Sequence, residues 1–208
     1  MRWLTYIFLL LFLSSCMEFR FSAPEMHDFL TLHKEHLYSD TLVIHDQNIH
    51  YVYSNKGHED LVVFIHGSPG SWKDFSAYLT TDSLLDHFDM VSIDRPGFGY
   101  SDYGLAEPSL KNQAFLMSEV LKKFDHQRKI LVGHSLGGPV IARIAVDEPK
   151  QVQGLLFLAP SIDPEMEKFE WFRPLIQTWL GDLITPTDFW VSNEEIVTLK
   201  GELEAFLP

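Results

Sequence analysis

Residues 129–138 read KILVGHSLGG. Ile130, Leu131 and Val132 are β-formers, and their run stops at Gly133. A short uninterrupted apolar run of this kind suits a strand buried on both faces of a parallel sheet. From Gly133 to Gly137 the sequence GHSLG fits the pattern G-x-S-x-G, and Val140 to Val146 reads as a helix that is small on one side. A strand that bends sharply into a helix at such a motif lifts its serine oxygen above the sheet edge. Glycines belong there because side chains would collide. The N-terminus of the following helix favours negative charge developing nearby. Ser135 is therefore a candidate nucleophile. The competing reading is a small-residue turn with an idle serine. The strand before the motif and the helix after it argue against that reading.

Working outward, the chain alternates. LVVFIHG (Leu61 to Gly67) is a second apolar β-run, followed by SPGS and a helical stretch from Trp72 to Leu79. MVSID (Met90 to Asp94) is a strand, and Leu110, Ala114, Met117, Leu121 and Phe124 form one helical stripe. GLLFLAP (Gly154 to Pro160) is a further strand. Strand and helix in this rhythm give an α/β fold with a mostly parallel sheet and right-handed crossovers. Ahead of it, two β-rich runs from Thr41 to Ser54 flank Asp46-Gln47-Asn48 and read as a hairpin. After Pro160 no strand pattern follows. Glu165 to Leu180 reads as a helix interrupted at Pro174, and Ser192 with Glu195 matches a capping box. Ile196, Leu199, Leu203 and Phe206 make a last apolar stripe, and Trp171, Trp179 and Trp190 fall in the same region. These residues predict a helical lid whose aromatics mostly fill its own core.

Two more motifs accompany the elbow: HGSPG (His66 to Gly70) and DRPGFGYS (Asp94 to Ser101). Together, in this order, the three resemble the α/β-hydrolase family from about Thr41 to Pro208. The resemblance implies the α/β-hydrolase fold and acyl transfer to water. It also implies that the backbone N–H groups of Ser68 and Leu136 form the oxyanion hole, each worth about 3 kcal/mol of barrier. His66 is expected to support its loop rather than carry protons, and Asp94 and Arg95 are expected to form a structural pair.

The family order is serine, acid, histidine. No histidine follows His134 in this sequence. His134 should leave the elbow on the wrong side for proton transfer, and His66, which its motif places near the site, is also a poor candidate for the base. Asp163 follows the strand at Gly154–Pro160 and is the candidate acid, with helix capping as the competing role. Asp182 and Asp188 are weaker candidates within the lid. The resemblance implies another strand, a helix, a last strand and a histidine loop after Phe206–Pro208. The chain is therefore expected to be a C-terminally truncated hydrolase, nearly inactive, with its C-terminal strands missing and an apolar edge left at Gly154–Pro160.

At the other end, Arg2 and the apolar run Trp3 to Leu13 suit a secretory signal. Leu13-Ser14-Ser15-Cys16 resembles the lipobox of bacterial lipoproteins, and Cys16 is the single cysteine of 208 residues. An ordinary signal peptide or an uncleaved anchor is the alternative. The expected organisation is a lipoprotein signal peptide (1–16), a tether with a short helix (17–40), the hydrolase core (41–162) and the lid (163–208). The expected location is a bacterial cell envelope, with membrane attachment through an N-terminal lipid. A net charge of -13 argues against nucleic acid as a partner. No cofactor or metal is expected, because histidines and carboxylates do not fall in ligand spacing. The expected substrate is a small to medium apolar ester or amide. A non-catalytic ligand-binding lipoprotein of the same fold is the alternative.

Overall fold

The computed structural model describes residues 19–162 together with 187, 188, 191, 192, 195 and 198. Cys16, Asp163, Asp182, Trp171, Trp179 and Trp190, which carry several of the expectations above, lie outside the described residues. Helix α1 spans Ala23–Leu32 and strands β1 and β2 span Leu37–Ile44 and Gln47–Ser54. Strand β3 (Asp60–Ile65) leads into a 3₁₀ turn at Trp72–Phe75 and two short helices, α2 (Ser76–Leu79) and α3 (Asp82–Leu85). Then follow β4 (Asp89–Ile93), α4 (Leu110–Leu121), β5 (Arg128–His134), α5 (Gly137–Asp147) and β6 (Gly154–Leu158).

The strands form one sheet in the order β1-β2-β4-β3-β5-β6. The β1–β2 and β2–β4 pairs are antiparallel, while β4–β3, β3–β5 and β5–β6 are parallel. Helical crossovers connect β3 to β4, β4 to β5 (passing over β3) and β5 to β6, so helices cover both faces. The period of two along each strand divides the side chains accordingly. Leu61, Val63, Ile65, Val91, Ile93 and Leu131 pack with α4 and α5 on one face. Val52, Phe64, Met90 and Val132 pack with Met26 of α1, Trp72, Phe75, Leu79 and Leu85 on the other.

The hairpin differs in register from the sequence reading. Its tip is His45–Asp46, both at positive φ (47° and 66°), and Ile44 pairs with Gln47. β1 also starts at Leu37, before the expected Thr41. From Phe19 onward the stretch expected as a tether is fastened to the core. Ser71 Oγ donates to Phe19 O at 2.6 Å, Arg20 Nη1 donates to Gly99 O at 2.8 Å, and the Arg20 guanidinium lies over the Tyr103 ring. Phe21 and Phe29 then meet Trp72 edge-on, at 5.4 and 5.6 Å between ring centres.

β6 closes the far edge, paired only with β5 among the described residues. Leu155, Leu156 and Phe157 are 38%, 51% and 37% exposed. Among the described residues no helix is long and apolar enough to cross a membrane.

Candidate active site

β5 ends at His134 and α5 begins at Gly137, so the bend falls on Ser135. Ser135 has φ +49°, a left-handed conformation that costs a non-glycine residue about 1–2 kcal/mol. The bend survives because its neighbours fix it. Ser135 N donates to Leu158 O at 3.0 Å, while Ser135 O accepts from Gly138 N at 2.9 Å and from Ser161 N at 3.1 Å. Gly137 is required by close approach: a Cβ there would overlap Ile65 O and stand 2.8 Å from His66 O. The start of α5 thus rests directly on the end of β3. Ser135 is half-buried, and its Oγ has the Ser161 Oγ 3.4 Å away.

The HGSPG loop follows β3 and lies against the bend. A Cβ on Gly67 would be 3.0 Å from both Ser135 Cβ and His134 Nδ1. The Ser68–Pro69 peptide is cis. The loop is held chiefly through the carbonyl of Gly67, which accepts from His66 Nδ1 at 2.7 Å and from Arg95 Nη2 at 2.9 Å. Arg95 N donates to His66 Nε2 at 2.9 Å. These partners fix the tautomer: the proton sits on Nδ1 and Nε2 accepts. His66 is fully buried, and burial with the nearby Arg95 charge holds its pKa well below the usual imidazole value. It is a neutral scaffold residue with both nitrogens in use. His134, by contrast, is exposed.

Two expectations need correction, the Asp94–Arg95 pair and the Ser192–Glu195 capping box. Asp94 and Arg95 are both buried, but they do not pair with each other. The Asp94 carboxylate accepts from Trp72 N (2.7 Å), His50 Nδ1 (2.8 Å) and Tyr100 N (2.9 Å). It ties β2, the 3₁₀ turn and the loop after β4 together. Arg95 turns the other way, to Glu195, through Nη1–Oε1 at 3.0 Å and Nη2–Oε2 at 3.1 Å. Glu195 also receives Gln113 Nε2 at 2.8 Å and lies 2.9 Å from Ser68 Oγ. Ser192 and Glu195 therefore form no capping box. Ser192 Oγ instead donates to Asp188 O at 2.7 Å and lies 2.8 Å from Ser68 Oγ. The only expected acid among the described residues, Asp188, is buried and accepts from Tyr103 Oη at 2.8 Å.

One further carboxyl borders the loop. Asp74 is exposed as a residue, yet its carboxyl is tucked against Gly70, where a Cβ would stand 2.5 Å from Oδ2. Burial pushes its pKa up to about 6, opposed by the Ser71 backbone hydrogen bond. A hollow of about 370 Å³ lined by Tyr51, Tyr53 and Phe124 shares no residue with the bend. Among the described residues no cluster suited to a metal ion occurs.

The sequence profile of the alpha/beta hydrolase fold matches residues 60–184. A pimeloyl-[acyl-carrier protein] methyl ester esterase of Pseudoalteromonas atlantica is 33% identical over 150 residues, covering 70% of this chain and 50% of that protein. The dihydrolipoyllysine-residue acetyltransferase component of an acetoin cleaving system from Cupriavidus necator is 34% identical over 109 residues, 52% of this chain and 29% of that protein. The chain thus spans half or less of the length of these curated relatives. Among solved structures, Cfl2 from Burkholderia cenocepacia superposes with a TM-score of 0.64 at 17% identity, covering 82% of this chain and 74% of that one. Such a likeness speaks to the fold. With the parallel sheet, the strained serine bend and the profile match in agreement, the chain belongs to the alpha/beta hydrolase fold family.

Proposed function

We propose that this chain carries the nucleophile and oxyanion parts of a serine hydrolase site acting on a small to medium apolar ester, or an amide. The observation that carries the reading is the left-handed Ser135 at the end of β5, with the Gly67–Ser68 loop packed against it. In this reading Ser135 Oγ attacks the acyl carbon, and the Ser68 and Leu136 N–H groups receive the oxyanion. Neither N–H donates to an acceptor among the described residues, which leaves both able to donate to an oxyanion. The alcohol or amine leaves, and water then releases the acid. An ester is preferred because a relative of comparable sequence is a methyl ester esterase.

The proton of Ser135 is the weak step. Among the described residues no histidine is hydrogen-bonded to Ser135, and His66 is neutral with both nitrogens engaged. Losing the base of such a site lowers kcat on the order of 10⁶-fold. We therefore read the 208-residue chain, taken by itself, as nearly inactive. The test is mass spectrometry after incubation with an alkyl fluorophosphonate. Slow labelling confined to Ser135 and lost in Ser135→Ala supports the site. Rapid stoichiometric labelling would contradict near-inactivity. No adduct on a folded chain would favour the non-catalytic binder. Acylation of Cys16 is a separate proposal resting on the LSSC motif, and metabolic labelling with a fatty-acid analogue that Cys16→Ala fails to abolish would refute it.

A further inference from the structure

Gly67 O and Ser68 N–H belong to one planar peptide unit and point in opposite directions. Whatever holds the carbonyl therefore aims the N–H. Two donors hold it: the neutral His66 ring and the Arg95 guanidinium. His66 is locked by its own backbone partner, but Arg95 reaches the carbonyl on a flexible stem. What stops that stem from turning is Glu195, which grips both terminal nitrogens of the guanidinium. The grip comes from a residue 100 positions away.

The carboxylate is fully used. Oε1 faces Arg95 Nη1 and Gln113 Nε2, and Oε2 faces Arg95 Nη2 and Ser68 Oγ. Arg95 and Glu195 side chains are 1% and 2% exposed. Burying such a pair adds little net stability compared with apolar side chains of the same volume. Its geometry, however, is specific: a fork facing a carboxylate tolerates little rotation. Glu195 thus touches the oxyanion loop twice, once through Arg95 on the Gly67 carbonyl and once at the Ser68 hydroxyl.

We propose that Glu195 is a positioning residue, a latch that fixes the orientation of the Ser68 N–H beside Ser135 and so sets the readiness of the oxyanion hole. This rests on the acyl-transfer reading above.

Glu195→Ala would strand the Arg95 charge in the core, so the decisive variant is Arg95→Met combined with Glu195→Leu. It removes the latch while keeping core volume. Three quantities are measured on the full chain: the melting temperature, the ¹⁵N order parameter of the Ser68 amide, and the fluorophosphonate labelling rate of Ser135. The order parameter reads how firmly the N–H is oriented, whether or not it donates to anything. The double variant is expected to melt close to the parent, with the Ser68 order parameter falling from about 0.85 to below about 0.6 and Ser135 labelling about tenfold slower. An unchanged order parameter overturns the latch. A lower order parameter with unchanged labelling overturns the positioning role. If the parent chain takes no label at Ser135, the acyl-transfer reading falls, while the order parameter still decides the latch. Should the double variant not fold, Glu195→Gln decides by the same measurements, since it keeps the volume but leaves one oxygen to face the two guanidinium nitrogens.

Discussion

Asp94→Asn is the sharpest test of how the loops over the sheet are held. The native carboxylate is fully buried and accepts three hydrogen bonds, from Trp72 N, His50 Nδ1 and Tyr100 N. Oδ1 serves Trp72, and Oδ2 serves His50 and Tyr100. An asparagine has one carbonyl oxygen, so one rotamer keeps the Trp72 bond and the other keeps the His50 and Tyr100 bonds. Either way the amide NH₂ faces at least one N–H donor, which is left buried and unpaired. Hydrogen bonds to a charged group contribute about 1.5–3 kcal/mol each, and a stranded buried donor costs about 1–3 kcal/mol. The expected loss is about 3 kcal/mol, a large share of the roughly 5–15 kcal/mol that holds a domain folded. For a domain of this size that lowers Tm by roughly 6–12 °C. Circular dichroism melts of Asp94→Asn, His50→Gln and the double variant measure both the loss and the coupling. Because both single changes break the same bond, their effects should be less than additive, by about 1 kcal/mol or more. A shift below about 2 °C for Asp94→Asn, or strictly additive losses, would refute the account of Asp94 as the junction.

Gly137→Ala should destabilise by about 1–3 kcal/mol, because its methyl meets the Ile65 and His66 carbonyls rather than a movable side chain; a chemical denaturation midpoint equal to the parent's would count against the close approach. Imidazole added to the solution should raise the fluorophosphonate labelling rate of Ser135, since no histidine among the described residues is hydrogen-bonded to it; an imidazole-independent rate would mean that a base is already in place. Asp74→Asn should stabilise the chain only above acid pH. The fold raises the Asp74 pKa from 3.8 to about 6, so the native state prefers the protonated form and the parent loses stability as pH rises from about 4 to 6. Solvent screening at this partly exposed carboxyl reduces the gain to about 1 kcal/mol, and melts that show the same difference at pH 4 and pH 7 would contradict it.

The parallel core was legible because its strands are buried on both faces, which leaves runs such as Leu61–Ile65 and Ile130–Val132 without polar interruption. β1 was harder to delimit. Tyr38, Ser39 and Asp40 are exposed, so its first residues resemble a linker. The hairpin tip was misplaced because His45 and Asp46 take positive φ without the glycine that ordinarily marks such a turn. α3 has four residues, too few for any periodicity to show. Ser135, Ser68 and Leu136 stand in motifs that are contiguous in sequence, and the structure brings the two loops into contact. Glu195 was not readable, because its partners Ser68, Arg95 and Gln113 are far away in the chain, and Ser192 three residues earlier mimics a helix cap. Asp94 and Arg95 are adjacent and oppositely charged, yet neighbours in an extended loop point apart, and each found its partner elsewhere.

The last strand of the sheet has consequences for handling the protein. GLLFL carries no lysine, no proline and no bulge, the usual devices that stop one sheet from being extended by another. Among the described residues it pairs on one side only, and its side chains are apolar on both faces. Any preparation in which that outer side is bare will cloud with concentration more than with temperature, and Leu156→Lys is the mildest change that would keep it clear.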